Sequence, residues 1–480
     1  METTLLLLLG IGLVLTLLNG DWRLALFYTF FVGFAQDPIR KITPGQPQLF
    51  VGLVLVSTAL TLISAYTSRD KLPFKLAFSK DTALLQYFPL FMIFLLISAL
   101  NSFLRSGAIE VPLLGLAVYS SPLLALWLGF QFSTKPGVVA KLLYFYIILV
   151  SIYAFTILLS FWGVASPLFK EVGEGLIIYF DIGIGITGHS GLWRTAEIAA
   201  WHLGAASCFA IMLGVRTRRL LPIVGSLLYT IALMGIAVLT GRRKVLTLVT
   251  GFILIFTLLL LSSSRRLTRN TFFAAIGFIA FSAMIVVLSG GLNDLQSGMY
   301  GTFFRRGSTV YGDVSGRFTG VGYSGMLVAA EKVGLFGLGI GTIYQNSISS
   351  LGISISRSKI SWAAEGGLGK LVYDVGSVGI ILIGMVLFLL VRLFIRIIKS
   401  PQAIDSPDYY LMIGMLAFLA SNLPTFAAAG QVYNDLFVLL ILGLSAGFIL
   451  GLGYLTDSTA QYTNSGEFSS YSKSSLSYHQ

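Results

Sequence analysis

The sequence predicts an all-α fold, a polytopic bundle of about 12 or 13 transmembrane helices. Of its 480 residues, 56% are apolar and only 11% are charged, whereas soluble domains carry roughly 25% charged residues. Apolar stretches recur along the chain that reach the 17 to 25 or so residues needed to cross hydrocarbon. These stretches are continuous and do not alternate, which excludes a transmembrane β-barrel. The same composition excludes a soluble enzyme and a disordered protein.

The helices can be assigned in order along the chain. The first two apolar stretches, 4–18 and 22–35, flank Asn19-Gly20-Asp21 and form either two thin spans or one re-entrant hairpin. The first stretch has no basic region before it, so it is predicted to be a retained helix and not a signal peptide. The remaining candidate spans are 49–66, 84–100, 112–131, 137–161, 195–213, 220–240, 244–261, 271–289, 369–397, 409–426 and 433–455.

These spans divide the chain into four parts. An N-terminal transmembrane part covers 1–289, a long outer loop covers 290–368, and a C-terminal transmembrane part covers 369–455. The loop is expected to carry short amphipathic helices on the membrane surface, one of them at 317–332. The Ser- and Tyr-rich tail, 456–480, is too polar to pack and is predicted to be disordered.

Three consecutive basic turns set the orientation: 216–219, 241–244 and 265–269. Single spans separate them, so they alternate sides and cannot all be cytoplasmic. Placing the first and third inside agrees best with the tendency of Lys and Arg to stay on the cytoplasmic side. The turn 241–244 and the loop 290–368 are then outside, and the C-terminus is cytoplasmic. The net charge of +12 therefore does not indicate a nucleic-acid partner.

The outer turn Gly241-Arg242-Arg243-Lys244 is the most informative feature of this topology. One interpretation is that a local departure from the usual charge distribution is tolerated. The other is that Arg242 and Arg243 hold an anion at the membrane surface. Arginine suits this role because its planar fork binds phosphate oxygens bidentately and keeps its charge.

Further polar candidates lie where the 162–194 loop enters the next span. Arg194 either contacts a ligand or forms an i,i+3 ion pair with Glu197. Glu197 is a candidate ligand contact too, although one turn into the helix it is also at the membrane interface. His202 lies two turns into the helix, and a packed histidine is the alternative to a ligand contact.

The long outer loop supplies two more candidates, Arg317 and Glu365. The glycines of 334–342 have GxG spacings, but no strand precedes them, so they are not a dinucleotide-binding motif. They instead predict a close-packed re-entry toward the bilayer. Asp374 lies inside the next span and should face protein, not lipid. With one cysteine and three scattered histidines, no metal site and no cofactor are expected.

These features resemble the O-antigen ligase and polymerase family, in which many spans surround one long outer loop. Arg194 resembles an outer-loop arginine that precedes a span in that family, and Gly241-Arg242-Arg243 resembles its short basic outer turn. Ser315-Gly316-Arg317, followed by a surface helix and the turn at 334–342, resembles a further family pattern.

The span after the loop resembles a family segment that begins with His-Asn and ends with spaced glycines. Aligning those glycines on Gly376 and Gly379 places the family's acidic position on Asp374 and its histidine on Glu365. The ligases are thought to use this histidine. Its replacement by Glu365 favours a polymerase or a divergent relative over a strict ligase.

The resemblance implies an enzyme of the bacterial inner membrane that transfers saccharide from a polyprenyl-diphosphate donor to a glycan or lipid hydroxyl on the outer face. Its partners would be that lipid-linked oligosaccharide, the acceptor, the bilayer and other polysaccharide assembly proteins. Arg242 and Arg243 would stabilise the leaving diphosphate, and Glu365 would be the base. The alternative for Glu365 is an ion pair with Lys370 or with an outer-loop arginine that only holds the loop closed. Substrate contacts would come from Arg194, Arg317, Glu197 and His202.

Two other functions fit the composition. A transporter or flippase of lipid-linked saccharides or of a small anion would also present outward arginines, but it predicts an internal repeat and many deep charges. Neither is evident in the sequence. A non-catalytic scaffold of a secretion complex explains the hydrophobicity but not the outer arginine cluster.

Overall fold

A computed structural model describes residues 2–18, 20–46, 50, 52–172, 177–180, 184–262, 303, 316–342 and 365–464. Within these ranges the chain is almost entirely helical. The helices are α1 (Glu2–Leu18), α2 (Trp22–Ile42), α3 (Leu53–Thr67), α4 (Phe74–Ala77), α5 (Ala83–Ser106), α6 (Glu110–Ser133), α7 (Val138–Phe161), α8 (Ala196–Arg216), α9 (Leu220–Leu239), α10 (Lys244–Ser262), α11 (Gly325–Val333), α12 (Gly367–Ile398), α13 (Pro401–Asp405), α14 (Tyr409–Ala428) and α15 (Leu436–Asn464).

In the described ranges, nine helices are long and apolar enough to cross a membrane: α5 to α10, α12, α14 and α15. This confirms the predicted class, a polytopic helical bundle. The predicted span 271–289 lies outside the described residues, so the total of 12 or 13 is not counted here. One short antiparallel hairpin, β1 (Ile177–Phe180) with β2 (Ile184–Thr187), lies in the 162–194 loop and pairs Ile177 with Thr187.

The first two helices form an antiparallel pair joined by a short turn. Tyr28 of α2 donates its hydroxyl hydrogen to the Leu9 carbonyl of α1 at 2.8 Å. The helix α2 then runs past the predicted limit of residue 35 to Ile42 and brings Asp37 and Lys41 into the protein. The region 4–35 thus forms two helices, and neither is among the nine described helices that are long and apolar enough to cross a membrane.

Two helices form the centre of the bundle. The apolar part of α8 is fully buried and that of α15 is 89% buried, whereas other spans expose much more of their surface to lipid. The close packing of α15 on α6 depends on glycine: a Cβ on Gly447 would lie 2.2 Å from the Leu126 carbonyl oxygen. Small residues that let backbones approach are typical of helix contacts in membranes.

The bundle has two ends, which we call the Arg216 end and the Arg242 end. At the Arg216 end, Arg216 pairs with Asp408 at 2.7 Å. At the Arg242 end, the His189 amide donates to Leu239 and the Gly430 amide donates to Glu365. The turns 216–219 and 241–243 therefore lie at opposite ends, as the parity of the spans predicts.

The Gly-rich segment 334–342 re-enters the bundle, as predicted. The Ile340 amide donates to Ser98 of α5 at 3.2 Å, and Ile340 is fully buried. Opposite this segment, α12 is broken at Gly376, which has a φ of 66°. The Leu338 amide donates to the Tyr373 carbonyl at 2.7 Å and the Gly339 amide to the Asp374 carbonyl at 3.0 Å. The backbone groups released by the break are thus satisfied inside the protein.

Two smaller features bear on the predicted division of the chain. Residues 318–333 are helical, as expected for the amphipathic segment, and expose Phe318, Tyr323 and Leu327. The prediction of a disordered tail from residue 456 is wrong at its start, because α15 continues to Asn464. An ion pair between Asp457 and Lys80, 2.7 Å long, anchors this extension.

Candidate functional site

The structure places all seven predicted site residues at or just inside the Arg242 end. Four of them lie close together: Arg242 and Arg317 are within electrostatic range of Glu197, and Arg243 lines a pocket together with Arg242. The other three, Arg194, His202 and Glu365, occupy different surroundings. Each group is described in turn below.

Arg194 is held between two buried carboxylates. Its Nη1 donates to Asp37 Oδ1 at 3.2 Å, and its backbone amide donates to Asp37 Oδ2 at 3.1 Å. Its Nη2 contacts Asp435. Asp435 in turn accepts the amides of Phe437 and Val438 at the start of α15. Arg194 therefore joins the end of α2, the loop before α8 and the start of α15; we call Asp37, Arg194 and Asp435 the clasp.

The clasp explains how an arginine is tolerated in this position. The Arg194 side chain is 12% exposed, and those of Asp37 and Asp435 are 4% and 2% exposed. Burial alone would lower the pKa of Arg194, but Asp435 and Asp37 raise it above its usual value. The predicted alternative, an i,i+3 ion pair between Arg194 and Glu197, is wrong, because both side chains have other partners. Arg194 instead pairs with two buried carboxylates from distant parts of the chain, Asp37 and Asp435.

Glu197 pairs with Lys244, the residue that follows the Arg242-Arg243 turn. The Lys244 Nζ lies 2.5 Å from Glu197 Oε1, and the two side chains are 26% and 11% exposed. This ion pair ties the first turn of α8 to the first residue of α10. It keeps the outer turn, with Arg242 and Arg243, against the central helix.

Two small pockets meet at Arg242. One is lined by Glu197, Ala200, Trp201, Arg242, Lys244, Val245, Leu248, Thr425 and Val432. The other is lined by Val238, Gly241, Arg242, Arg243, Val245, Leu246 and Phe303. Each holds about 10 Å³ of free space, close to the room that one water needs. A diphosphate would therefore contact this turn from the end of the bundle or after side chains move apart.

His202 lies deeper, inside a cluster of aromatic rings. It is 1% exposed, and its Nδ1 forms a hydrogen bond of 2.7 Å with the Tyr146 hydroxyl. Trp193 stacks on its ring at 5.9 Å between centroids, and Phe34 and Phe437 pack beside it. These contacts are those of a packed histidine, the alternative that the sequence left open. The substrate contact predicted for His202 has no support from this arrangement.

Glu365 lies at the start of α12, and its side chain is exposed. Its backbone carbonyl accepts the Gly430 amide at 3.2 Å, which places it beside the loop between α14 and α15. The suggested ion pair with Lys370 is not formed, because the Lys370 ammonium contacts Asn434. Glu365 thus borders the Arg242 end without a side-chain partner among the described residues.

Sequence reasoning missed several residues of this end, above all Glu171. The Glu171 Oε1 accepts the amide of Ala196, the first residue of α8, at 3.0 Å. Burial raises its pKa to about 7, against the opposing charges of Arg242 and Lys41. Lys41 is also buried and donates to the Leu168 and Gly191 carbonyls at 3.0 and 2.7 Å. The sequence does contain a signal for Asp37 and Lys41, because charged residues near the end of an apolar helix are costly in a membrane and are usually functional.

In the described part of the chain, no group of three or more His, Cys, Asp or Glu residues is arranged to hold a metal ion. His189, the remaining histidine of this end, forms a 3.0 Å hydrogen bond with Ser160, and burial lowers its pKa. The site is therefore made of arginine, lysine and carboxylate side chains. Comparison with models of protein families and with curated proteins gave no match to this chain.

Proposed function

We propose that this protein is a membrane glycosyltransferase of polymerase or ligase type. It would transfer saccharide from a polyprenyl-diphosphate donor to a glycan or lipid hydroxyl at the outer face of the bacterial inner membrane. The observation that supports this most directly is the basic turn Arg242-Arg243 fixed against the central helix by Glu197 and Lys244, with Arg317 within electrostatic range. The resemblance to the O-antigen ligase and polymerase family adds to it.

The donor chemistry suits this cluster. When the anomeric C–O bond breaks, negative charge develops on a diphosphate that stays anchored in lipid. Arginine forks stabilise such oxygens bidentately, and donors already in place stabilise the transition state without reorganisation. Arg242, Arg243 and Arg317 are the residues assigned to this role. Arg194 is assigned to positioning, because the clasp engages its guanidinium.

The charge distribution of the two ends supports the orientation that this function needs. Besides Arg216, the Arg216 end carries many further basic residues: Arg69, Lys71, Lys75, Lys135, Arg218, Arg219 and Lys399. Basic residues collect on the cytoplasmic side. The Arg242 end would then face outward, where lipid-linked saccharides are joined in the family that the chain resembles.

Transport of the same lipid-linked saccharides is the second candidate, and the broken helix α12 favours it. Discontinuous helices with buried charges such as Lys370 and Asp374 are typical of transporter binding sites. Here, however, the backbone carbonyls at the break accept amides of the re-entrant segment. They line a protein contact and not a substrate cavity, so glycosyl transfer is the better-supported function.

Lipid-linked saccharides in cells that lack the protein test this proposal. Single repeat units on the carrier at the outer face indicate a polymerase, and full-length polymer on the carrier indicates a ligase. Accumulation restricted to the inner leaflet, protected from added glycosidase, would support transport instead. An unchanged pool of lipid-linked saccharide would contradict both.

Complementation of the same cells tests the site. We expect Arg242→Ala with Arg243→Ala to fail to restore polymer at normal membrane levels, because these side chains contribute more to a diphosphate-leaving transition state than to folding. Lysine at both positions should restore polymer only in part, since it lacks the planar fork. Arg105→Ala is the matched control: Arg105 is exposed and contacts only Asn101 of its own helix among the described residues. Full restoration by the double alanine variant would remove this turn from the site.

A further inference from the structure

The carboxylates of the Arg242 end differ in whether they can take up a proton. Asp37 and Asp435 are engaged by Arg194, and Glu197 is engaged by Lys244 at 2.5 Å. Each of these three carboxylates therefore already has a cationic partner in the structure. Outside these pairs, the described ranges place the exposed glutamates Glu110, Glu331 and Glu365 and the partly buried Glu171; Glu365, the base that the sequence suggests, and Glu171 are compared here.

Glu365 and Glu171 differ in exposure and in position. The Glu365 side chain is exposed. Glu171 is partly buried, and its Oε1 is held at 3.0 Å by the first amide of α8. The neighbouring Val172 amide donates to the Arg194 carbonyl at 2.9 Å, which fixes the backbone of Glu171 to the clasp.

Glu171 also lies next to the proposed site of the leaving group. Arg242 is within electrostatic range of both Glu171 and Glu197, and of these two carboxylates Glu197 is the one engaged by Lys244. The charged groups that face Glu171 are Arg242, from the turn after α9, and Lys41, from the end of α2.

We propose that Glu171, and not Glu365, is the general base of the glycosyl transfer. This inference rests on the proposed function. The acceptor O–H bond breaks and its proton moves to a Glu171 carboxylate oxygen, while the acceptor oxygen forms a bond to the anomeric carbon. The anomeric C–O bond to the diphosphate breaks, and its electron pair leaves on the diphosphate beside Arg242. Glu171 then releases the proton to water.

The titration of Glu171 agrees with this role. A base is most effective when its pKa lies near the working pH, and burial raises the pKa of Glu171 to about 7. The group is charged above this pKa, so the rate of transfer should rise with pH through about 7. Replacing the carboxylate by an amide should remove that rise.

The experiment uses the full-length protein in lipid nanodiscs. The donor is the lipid-linked saccharide extracted from cells that lack the protein, and the acceptor is the polysaccharide that wild-type cells build. We expect Glu171→Gln to lower kcat by about 10²- to 10⁴-fold, with the donor KM unchanged and without the pH rise. Glu110→Gln, an exposed glutamate at the same end, is the matched control and should behave as the wild type.

Glu171→Asp keeps a carboxylate and covers the case in which the amide variant does not fold. It should retain the pH rise at a reduced rate. The inference is overturned if Glu171→Gln turns over at the wild-type rate, or if Glu365→Gln is the variant that loses the pH rise. If the wild-type protein transfers no saccharide in this assay, the proposed function itself fails, and not only the role of Glu171.

Discussion

Removing the arginine of the clasp is the most direct test of how the Arg242 end is held together. In Arg194→Ala, Asp37 and Asp435 lose their cation while they stay buried, with side chains 4% and 2% exposed. Asp435 keeps the Phe437 and Val438 amides at 2.8 and 2.9 Å. Asp37 keeps the backbone amide of residue 194. The backbone amides therefore stabilise only part of the buried negative charge of Asp37 and Asp435.

The expected loss follows from these contacts. Removing one partner of a buried ion pair typically costs about 3–5 kcal/mol, because a buried charge is left behind. Arg194→Lys keeps a charge but can reach only one carboxylate well, so its loss should be smaller. Replacing all three residues together, by Arg194→Met with Asp37→Asn and Asp435→Asn, removes the stranded charges and should recover most of the stability.

Thermal unfolding and SDS titration of the purified protein in detergent would measure these differences. Arg105→Ala again serves as the control, since its exposed side chain should contribute within about 0.5 kcal/mol. The argument is refuted if Arg194→Ala unfolds like Arg105→Ala, or if the triple variant is less stable than Arg194→Ala. Activity of a stable triple variant would show that Arg194 positions the site and does not contact the donor; loss of activity would restore the predicted substrate contact.

Two further predictions concern the re-entrant segment and the Arg216 end. Gly339→Ala should lower the free energy of unfolding by about 2–4 kcal/mol, because φ is +102° and the new Cβ would lie 2.4 Å from the Ser102 amide nitrogen. Gly235→Ala, where a Cβ meets open space, is the control and should not destabilise the protein. Equal melting temperatures of the two variants would contradict the packing described for Gly339. Asp81→Asn should cost about 1–2 kcal/mol, because the carboxylate accepts two hydrogen bonds of 2.7 Å from Arg392. Burial opposes ionisation, but Arg392, a backbone amide and Arg396 hold the pKa of Asp81 below its usual value. Its contribution is therefore complete above about pH 4 and is lost as the pH falls, so melting curves of wild type and variant should converge in acid.

The sequence was sufficient for the features that depend on local composition. Helix lengths and the spacing of basic turns placed Arg242, Arg194 and Glu365 at one end of the bundle, because each span reverses the chain. Glycine spacing indicated the re-entry at 334–342, since only a segment free of bulky side chains can approach Ser102 so closely. These inferences need no knowledge of which helices are neighbours.

The partners within the site could not be obtained in this way. Arg194 pairs with residues 157 and 241 positions away, and nothing local to either aspartate identifies the arginine that it meets. The nearby Glu197 was the natural expectation for Arg194, and the fold gave Glu197 a different partner, Lys244. Glu171 follows an irregular loop with no periodic pattern, so only the packed structure shows that it faces Arg242.

The arrangement of the helices contributes to the proposed chemistry beyond the side chains. The helices that begin at the Arg242 end include α8, α10, α12 and α15, and each N-terminus carries roughly half a positive charge. The carboxylates engaged by Arg194 and Lys244 fix the ends of α8, α10 and α15 relative to one another, so these partial charges stay oriented. A diphosphate that approaches Arg242 would therefore meet a field already arranged for it, which is the condition under which electrostatic stabilisation of a leaving group is most effective. The destabilised Arg194→Ala variant should then transfer more slowly even though the arginines of the turn are intact, and the stable triple variant should recover the rate. This links the stability of Arg194 variants to their rate.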